Sequence, residues 1–301
     1  MTSPSSSEQA RVRSEVSPND SFRSQASRFR LSTRGRVIFF LTAWLIVLMP
    51  FLFWWSTWFG RPLSPGQIGE YLQDEKHPRH IQHALVLLGD RMAQHDASAR
   101  LWYPDIARLA GHPVEEVRNT DAWVMGQDTS NPAFHTALLK MLQDPSLTVR
   151  GNAALSLVRF GDPSGRAQIV LLLESASITA PDGGRVLDID KAGTSVHQGG
   201  LVAKLRDGQR TIEVRSPIAG RIEKPSVSPG ATVNQGVELA MVDPAESQVW
   251  EALRALYLVG RPEDLPAIRS YESGSGDRSD RVRQQAVLTE QAILERAKRQ
   301  P

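Results

Sequence analysis

The chain has no cysteine among its 301 residues. That absence removes disulfides, thiolate nucleophiles and cysteine-ligated metals together, and it suits a compartment where stray thiols are a liability. Aromatic residues are few, and the formal net charge is only +2. Nothing here calls for nucleic acid as a partner. A phosphate-binding glycine loop is also lacking, because Gly274-Ser275-Gly276-Asp277 has no strand before it and no lysine after it. No nucleophile-elbow motif occurs. The expectation is a protein that is not an enzyme, with no catalytic residue and no cofactor.

Long apolar runs are scarce too. The one present, Val37 to Phe59, carries no charge, and as a helix it would span roughly 34 Å. Trp54, Trp55 and Trp58 crowd one end, where amphipathic rings favour a headgroup region. Pro50 is tolerable in such a segment. The run is too long for the core of a cleaved signal peptide, and no Ala-x-Ala-like site follows. Arg28, Arg30, Arg34 and Arg36 precede it, whereas only Arg61 lies close after it. The positive-inside rule then puts the N-terminus in the cytoplasm. Residues 1–36, rich in Ser, Arg and Gln, read as a disordered cytoplasmic tail. The chain is therefore expected to be a single-pass protein of a bacterial inner membrane, residues 37–59 spanning it and the bulk lying in the periplasm.

What is there in quantity is repetition. From Ile178 to Asp243 the sequence is written twice. The first copy has Ala180-Pro181, Gly184-Arg185-Val186, Gly193, Val196, Gly199 and Leu205. The second has Ser216-Pro217, Gly220-Arg221-Ile222, Gly230, Val233, Gly236 and Val242. Short apolar, β-branched runs alternate with Gly and Pro, which is strand-and-turn chemistry. Neither half can bury a core alone, so the two are expected to close on each other as a small barrel or sandwich.

The doubled pattern [AS]-P-x-x-G-x-[VI], then G-x-x-V-x-x-G, resembles the biotinyl/lipoyl domain. It equally resembles the barrel-sandwich hybrid of periplasmic adaptors of the membrane fusion, or HlyD-like, family. In lipoyl and biotinyl domains the resemblance implies a modified lysine at the tip of the hairpin joining the halves. Here Gln209 holds that position, within Arg206-Asp207-Gly208-Gln209-Arg210, and Gln cannot form the amide to the cofactor. Lys204 lies on the preceding strand. Asp207-Gly208 is a preferred two-residue hairpin sequence, so the long helical hairpin of the adaptors is missing.

A second repeat is helical. Asp144-Pro145, Val149-Arg150, Ala153-Ala154 and Phe160-Gly161-Asp162 look like the short HEAT-like repeat. A shorter copy runs from Pro113 through Val117-Arg118 to Ala122, and a weaker one from His77-Pro78 to Gly89-Asp90. In such repeats proline opens a helix and Gly-Asp separates units. Arg281-Val282-Arg283 and Ala286 repeat the signature near the C-terminus. Arg118, Arg150 and Arg283 are expected to pair with an Asp such as Asp144 or Asp162 of a neighbouring unit.

The expected architecture is multi-domain: one transmembrane helix and an α-solenoid of HEAT-like type, with an inserted all-β, lipoyl-like barrel-sandwich hybrid. Its parts are residues 1–36, 37–59, 66–174 (helical repeats), 176–244 (the β module) and 246–298 (helices continuing the array). His77, His80 and His83 recur at every third position beside Asp74 and Glu75. His80 and His83 are the candidate metal ligands, although a solvated helix face is the preferred reading and no metal is expected. His95, His112, His135 and His197 read as surface or capping residues. The resemblance implies a non-enzymatic, membrane-anchored periplasmic adaptor binding protein partners of an envelope or export complex. The alternative it implies is a membrane-fusion-type exporter subunit that forms a homo-oligomeric ring, and a lipoyl or biotin carrier, or an enzyme, ranks behind both.

Overall fold

The computed structural model describes residues 42–46, 48–49, 63–272 and 278–299. The chain divides into two units, 1–61 and 62–301. Of the first, Thr42–Ile46, Leu48 and Met49 are described, and they are helical. The rest of the expected 37–59 span and all of the 1–36 tail lie outside the described residues. Among the described residues no helix is long and apolar enough to cross a membrane. That finding corrects the expectation of a transmembrane helix and, with it, of a single-pass inner-membrane location.

The second unit opens with seven helices: α1 (Pro65–Leu72), α2 (Pro78–Ala93), α3 (Tyr103–Leu109), α4 (Glu115–Met125), α5 (Pro132–Met141), α6 (Leu147–Arg159) and α7 (Arg166–Leu171). Their starts follow capping chemistry. Ser64 and Gln67 form a reciprocal capping box, Asn131 accepts the Ala133 N–H, and Ser146 accepts the Val149 N–H. Pro78 and Pro132 occupy first-turn positions, where a missing N–H costs nothing. Pro113 and Pro145 do not open helices as expected, for each lies two residues ahead of one, in the preceding bend. Nor does Gly89-Asp90 separate two units. It sits inside α2, where a side chain at Gly89 would meet the Trp123 ring at 2.8 Å. The glycine lets α2 and α4 approach.

Eight strands follow: β1 (Ala176–Thr179), β2 (Gly184–Ile189), β3 (Ser195–Val196), β4 (Leu201–Asp207), β5 (Arg210–Arg215), β6 (Gly220–Pro225), β7 (Thr232–Val233) and β8 (Glu238–Pro244). They form two antiparallel sheets ordered β1-β8-β6-β3 and β5-β4-β2-β7. The orders interconvert when β1–β4 are exchanged for β5–β8, so the doubled sequence is a doubled structure. Each copy lends strands to the other: β2 pairs with β7, and β3 with β6. One core of Val186, Leu205, Ile222, Leu239 and Val242 lies between the sheets.

The motif glycines carry this geometry. Gly193, Gly199, Gly230 and Gly236 all hold positive φ, from 73° to 90°, where other residues are strained. At Gly220 a Cβ would stand 2.0 Å from the Asp243 carbonyl oxygen, and at the matching Gly184 2.9 Å from that of Arg206. These are sites of close strand approach.

The chain then returns to helices α8 (Glu246–Val259), α9 (Leu265–Arg269) and α10 (Asp280–Arg299). Val249, Leu253, Leu256, Val282 and Ile293 belong to the same buried core as α1–α7. The helices on either side of the strands thus share one core.

The expectation of an all-β barrel-sandwich hybrid inserted in a solenoid needs correction. The fold is mixed, with helices and two small open antiparallel sheets in one compact unit. The physical reason lies in the contacts between the two parts. Leu147 of α6 packs against the strand core. Gln198, before β4, donates to Glu115 Oε1 at 2.9 Å and Thr148 Oγ1 at 2.7 Å. Arg278, just ahead of α10, meets Asp243 of β8 at 2.9 Å.

Candidate functional site

Four Asp-x-Ser turns punctuate the helices: Asp96-Ala97-Ser98, Asp128-Thr129-Ser130, Asp144-Pro145-Ser146 and Asp162-Pro163-Ser164. In each the Asp Oδ1 accepts the Ser N–H, at 2.8–2.9 Å. In three, a side chain about one unit upstream takes the other oxygen. Tyr103 donates to Asp128, Arg118 to Asp144 at 2.7 Å, and His135 Nε2 lies 2.7 Å from Asp162.

These bonds set the charges. Burial raises Asp144, but the Arg118 bonds and the Ser146 N–H outweigh it and hold its carboxyl below the usual range. Asp128 is lowered likewise against burial, by Ser130 and Tyr103. Asp162 is lowered chiefly by the Ser164 hydroxyl. Tyr103 is pushed up to about 12, by burial first and then by Asp128.

The expected arginine partnerships divide. Arg118 pairs with Asp144 as anticipated. Arg150 instead bonds Gln168 Oε1 at 2.9 Å, because Asp162 is occupied by His135 and Ser164. Arg283 meets Asp280 of its own helix. What the three share was not visible in the sequence: each donates to backbone carbonyls five or six residues upstream, at His112 and Pro113, Asp144 and Pro145, or Arg278. The recurring arginine therefore ties its helix to the residues just before it.

Gln209 stands at the exposed tip of the β4–β5 hairpin. Asp207 pairs with Arg210, so the turn residues are Gly208 and Gln209 rather than Asp207-Gly208. Gly208 has φ +55° and Gln209 no positive φ, the signs of a type II′ turn. Lys204 lies in β4, opposite Glu213.

Asp74, His77 and His80 come together where α1 turns into α2. His77 Nδ1 lies 2.9 Å from Asp74 Oδ2 and His80 Nδ1 2.8 Å from the same oxygen. The His80 bond first, then the His77 bond, holds the Asp74 carboxyl below its usual value. The Tyr71 ring stacks on His80 at 4.4 Å and 11°. His83, expected to join His80, only tilts toward Tyr71 at 6.1 Å. Spacing on a helix suggested His80 and His83, but Asp74 lies in the turn and selects His77. Glu75 points the other way, to buried His112 at 2.8 Å and to Arg108 at 3.4 Å. His112 also accepts the Val114 N–H, a capping role.

A groove of about 520 Å³ opens between α4, α6 and α8, lined by Trp123, Asn152, Leu155, Arg159, Arg254 and Leu258 among others. Trp123 is 40% exposed and Leu258 60%. The groove combines apolar side chains with charged rims, which suits a peptide or protein surface.

No family model matches the chain. Over 68 residues it is 41% identical to “Putative efflux system component YhbJ” of Bacillus subtilis (strain 168). The match covers 22% of this chain and 30% of that protein, so the chain spans less than a third of the relative's length. A solved structure described as “Structure and function of a single-chain, multi-domain long-chain acyl-coa carboxylase” aligns over 32% of this chain and 10% of that one. Its identity is 20% and its TM-score 0.23, too low to carry any argument. Membership of the lipoyl-like, HlyD-like or HEAT-like families is not shown by these comparisons.

Proposed function

We propose that this chain is a non-enzymatic, protein-binding subunit of a transport assembly of the efflux type. The observation that carries the reading is the 41% identity over 68 residues to an efflux system component. Two features support a binding role over a carrier role. Gln209 stands at the hairpin tip, where a cofactor-bearing domain needs a lysine. The groove bounded by Trp123 and Leu258 presents apolar surface between charged rims.

The test places a photoreactive side chain at Gln209 or at Leu258 in the full chain and identifies the crosslinked products from native cells. Components of a transport apparatus are the expected products, from one position or both. Products confined to unrelated abundant proteins would overturn the reading. So would a covalent cofactor mass on the intact chain.

A further inference from the structure

We infer that Asp74, His77 and His80 form a binding site for one divalent transition metal of the zinc class, at the corner between α1 and α2. Two imidazoles and a carboxylate suit such an ion. The three donor atoms lie within 4.8 Å of one another. Tetrahedral zinc, with bonds of about 2.0–2.1 Å, needs its ligand atoms about 3.3 Å apart. The present contacts of 2.8 and 2.9 Å need open by only about half an ångström to reach that spacing.

The backbone organises the set. The His77 N–H donates to the Asp74 carbonyl at 3.0 Å, and the His80 N–H to the His77 carbonyl at 2.8 Å, so the turn folds Asp74 back over the start of α2. Both imidazoles present the same atom, Nδ1, to the same carboxylate oxygen. Tyr71 restrains the His80 ring from its other face. Ring position is therefore fixed before any ion arrives, which lowers the ordering cost of binding. The side chains of His77, His80 and Asp74 are 63%, 42% and 27% exposed, so water has access to complete the coordination shell. To bind the ion each Nδ1 must face it without a proton, which a neutral imidazole achieves by carrying its proton on Nε2.

The site would also clamp α1 to α2, since Tyr71 in the last turn of the one stacks on His80 in the first turn of the other. Metal binding to the folded chain alone must then raise its thermal stability by mass action. This inference is independent of the transport reading.

The experiment uses the full chain freed of metal by chelator, titrated with zinc chloride at neutral pH by calorimetry and by thermal melting. One saturable equivalent is expected, with a rise in Tm. His77→Gln, His80→Gln and Asp74→Asn should each weaken binding by at least about tenfold, the scale on which even indirect ligand support acts. His83→Gln, in the second turn of α2, should bind as the parent does. Cobalt absorption supplies a separate readout, because nitrogen-bound tetrahedral cobalt gives visible bands that the double variant His77→Gln/His80→Gln should lose. No saturable uptake, or uptake unchanged in that double variant, would overturn the proposal and leave the cluster as a hydrogen-bonded helix cap.

Discussion

Arg118 grips Asp144 with two parallel bonds, Nε to Oδ2 at 2.7 Å and Nη2 to Oδ1 at 2.9 Å. Its Nη1 donates to the His112 and Pro113 carbonyls at 2.8 and 3.1 Å. The loop before α4 and the loop before α6 are thus joined by one planar group, with side chains only 13% and 7% exposed. At that burial the pair is not a surface ion pair, and breaking it strands a charge. Asp144→Ala should cost about 3 kcal/mol in denaturant unfolding. A loss below about 1 kcal/mol, the scale of exposed pairs, would show the grip to be incidental.

The carboxyls titrate in opposite directions. Asp128, Asp144 and Asp162 are held below the ordinary value in the fold. Their contribution is complete above the unfolded value of about 3.9 and is lost as pH falls below it. Asp121 behaves in reverse. It is fully buried on α4, neither oxygen has a hydrogen-bond partner among the described residues, and burial raises it well above the usual range, with Arg108 opposing. Its folded value exceeds its unfolded one, so the fold loses stability as pH climbs above about 4 towards the folded value. Asp121→Asn, isosteric with the protonated acid, should match the parent at low pH and exceed it by a growing margin as pH rises. Denaturation midpoints across a pH series test this, and a margin that stays constant with pH would refute it.

The sequence made the doubling of the strand region visible because its turns need glycine at fixed places, and glycine is conspicuous. It could not reveal that β2 pairs with β7 of the other copy, since strand partners are chosen by the shared core of Val186, Ile222 and Leu205. The Arg118–Asp144 pair was legible because one repeat unit supplies each partner. The Arg150–Gln168 bond was not, because Asp162 is held by His135 of α5 and by Ser164 of its own turn. Helical spacing pointed to His80 and His83, but the cluster is set by Asp74, which lies outside the helix.

His95 occupies the position after the α2 C-cap, with φ +58°. Its counterpart after α6 is Gly161, at φ +77°, and the bonds around the two match. Asp96 N–H reaches the Arg91 carbonyl at 2.9 Å, and Asp162 N–H that of Leu157 at 3.0 Å. A β-carbon is strained in that conformation, whereas glycine is not. His95→Gly should therefore stabilise the fold by about 0.5–1 kcal/mol, offset in part by the added freedom of the unfolded chain. Thermal melting decides it, and a lowered Tm would mean the imidazole makes a contact that outweighs the strain.

Gly220 tests whether the strand region depends on close approach or only on loop freedom. Its φ is not positive, so backbone strain is not at issue. A Cβ there would stand 2.0 Å from the Asp243 carbonyl oxygen and 2.9 Å from a Val242 methyl. Gly220→Ala must push β6 from β8 at the end where Gly220 faces Pro244, and the backbone cannot yield as a side chain can. The cost expected is about 1–3 kcal/mol, the range for overpacking. Faster hydrogen exchange should appear along β6 and β8 before β4 and β5, which lie in the other sheet. Gly184→Ala, where the facing Arg206 oxygen is 2.9 Å away, should cost less and loosen β2 against β4 instead. Equal effects from both substitutions, or exchange that rises uniformly across the two sheets, would mean the strands respond as one block rather than through the local contact at Asp243.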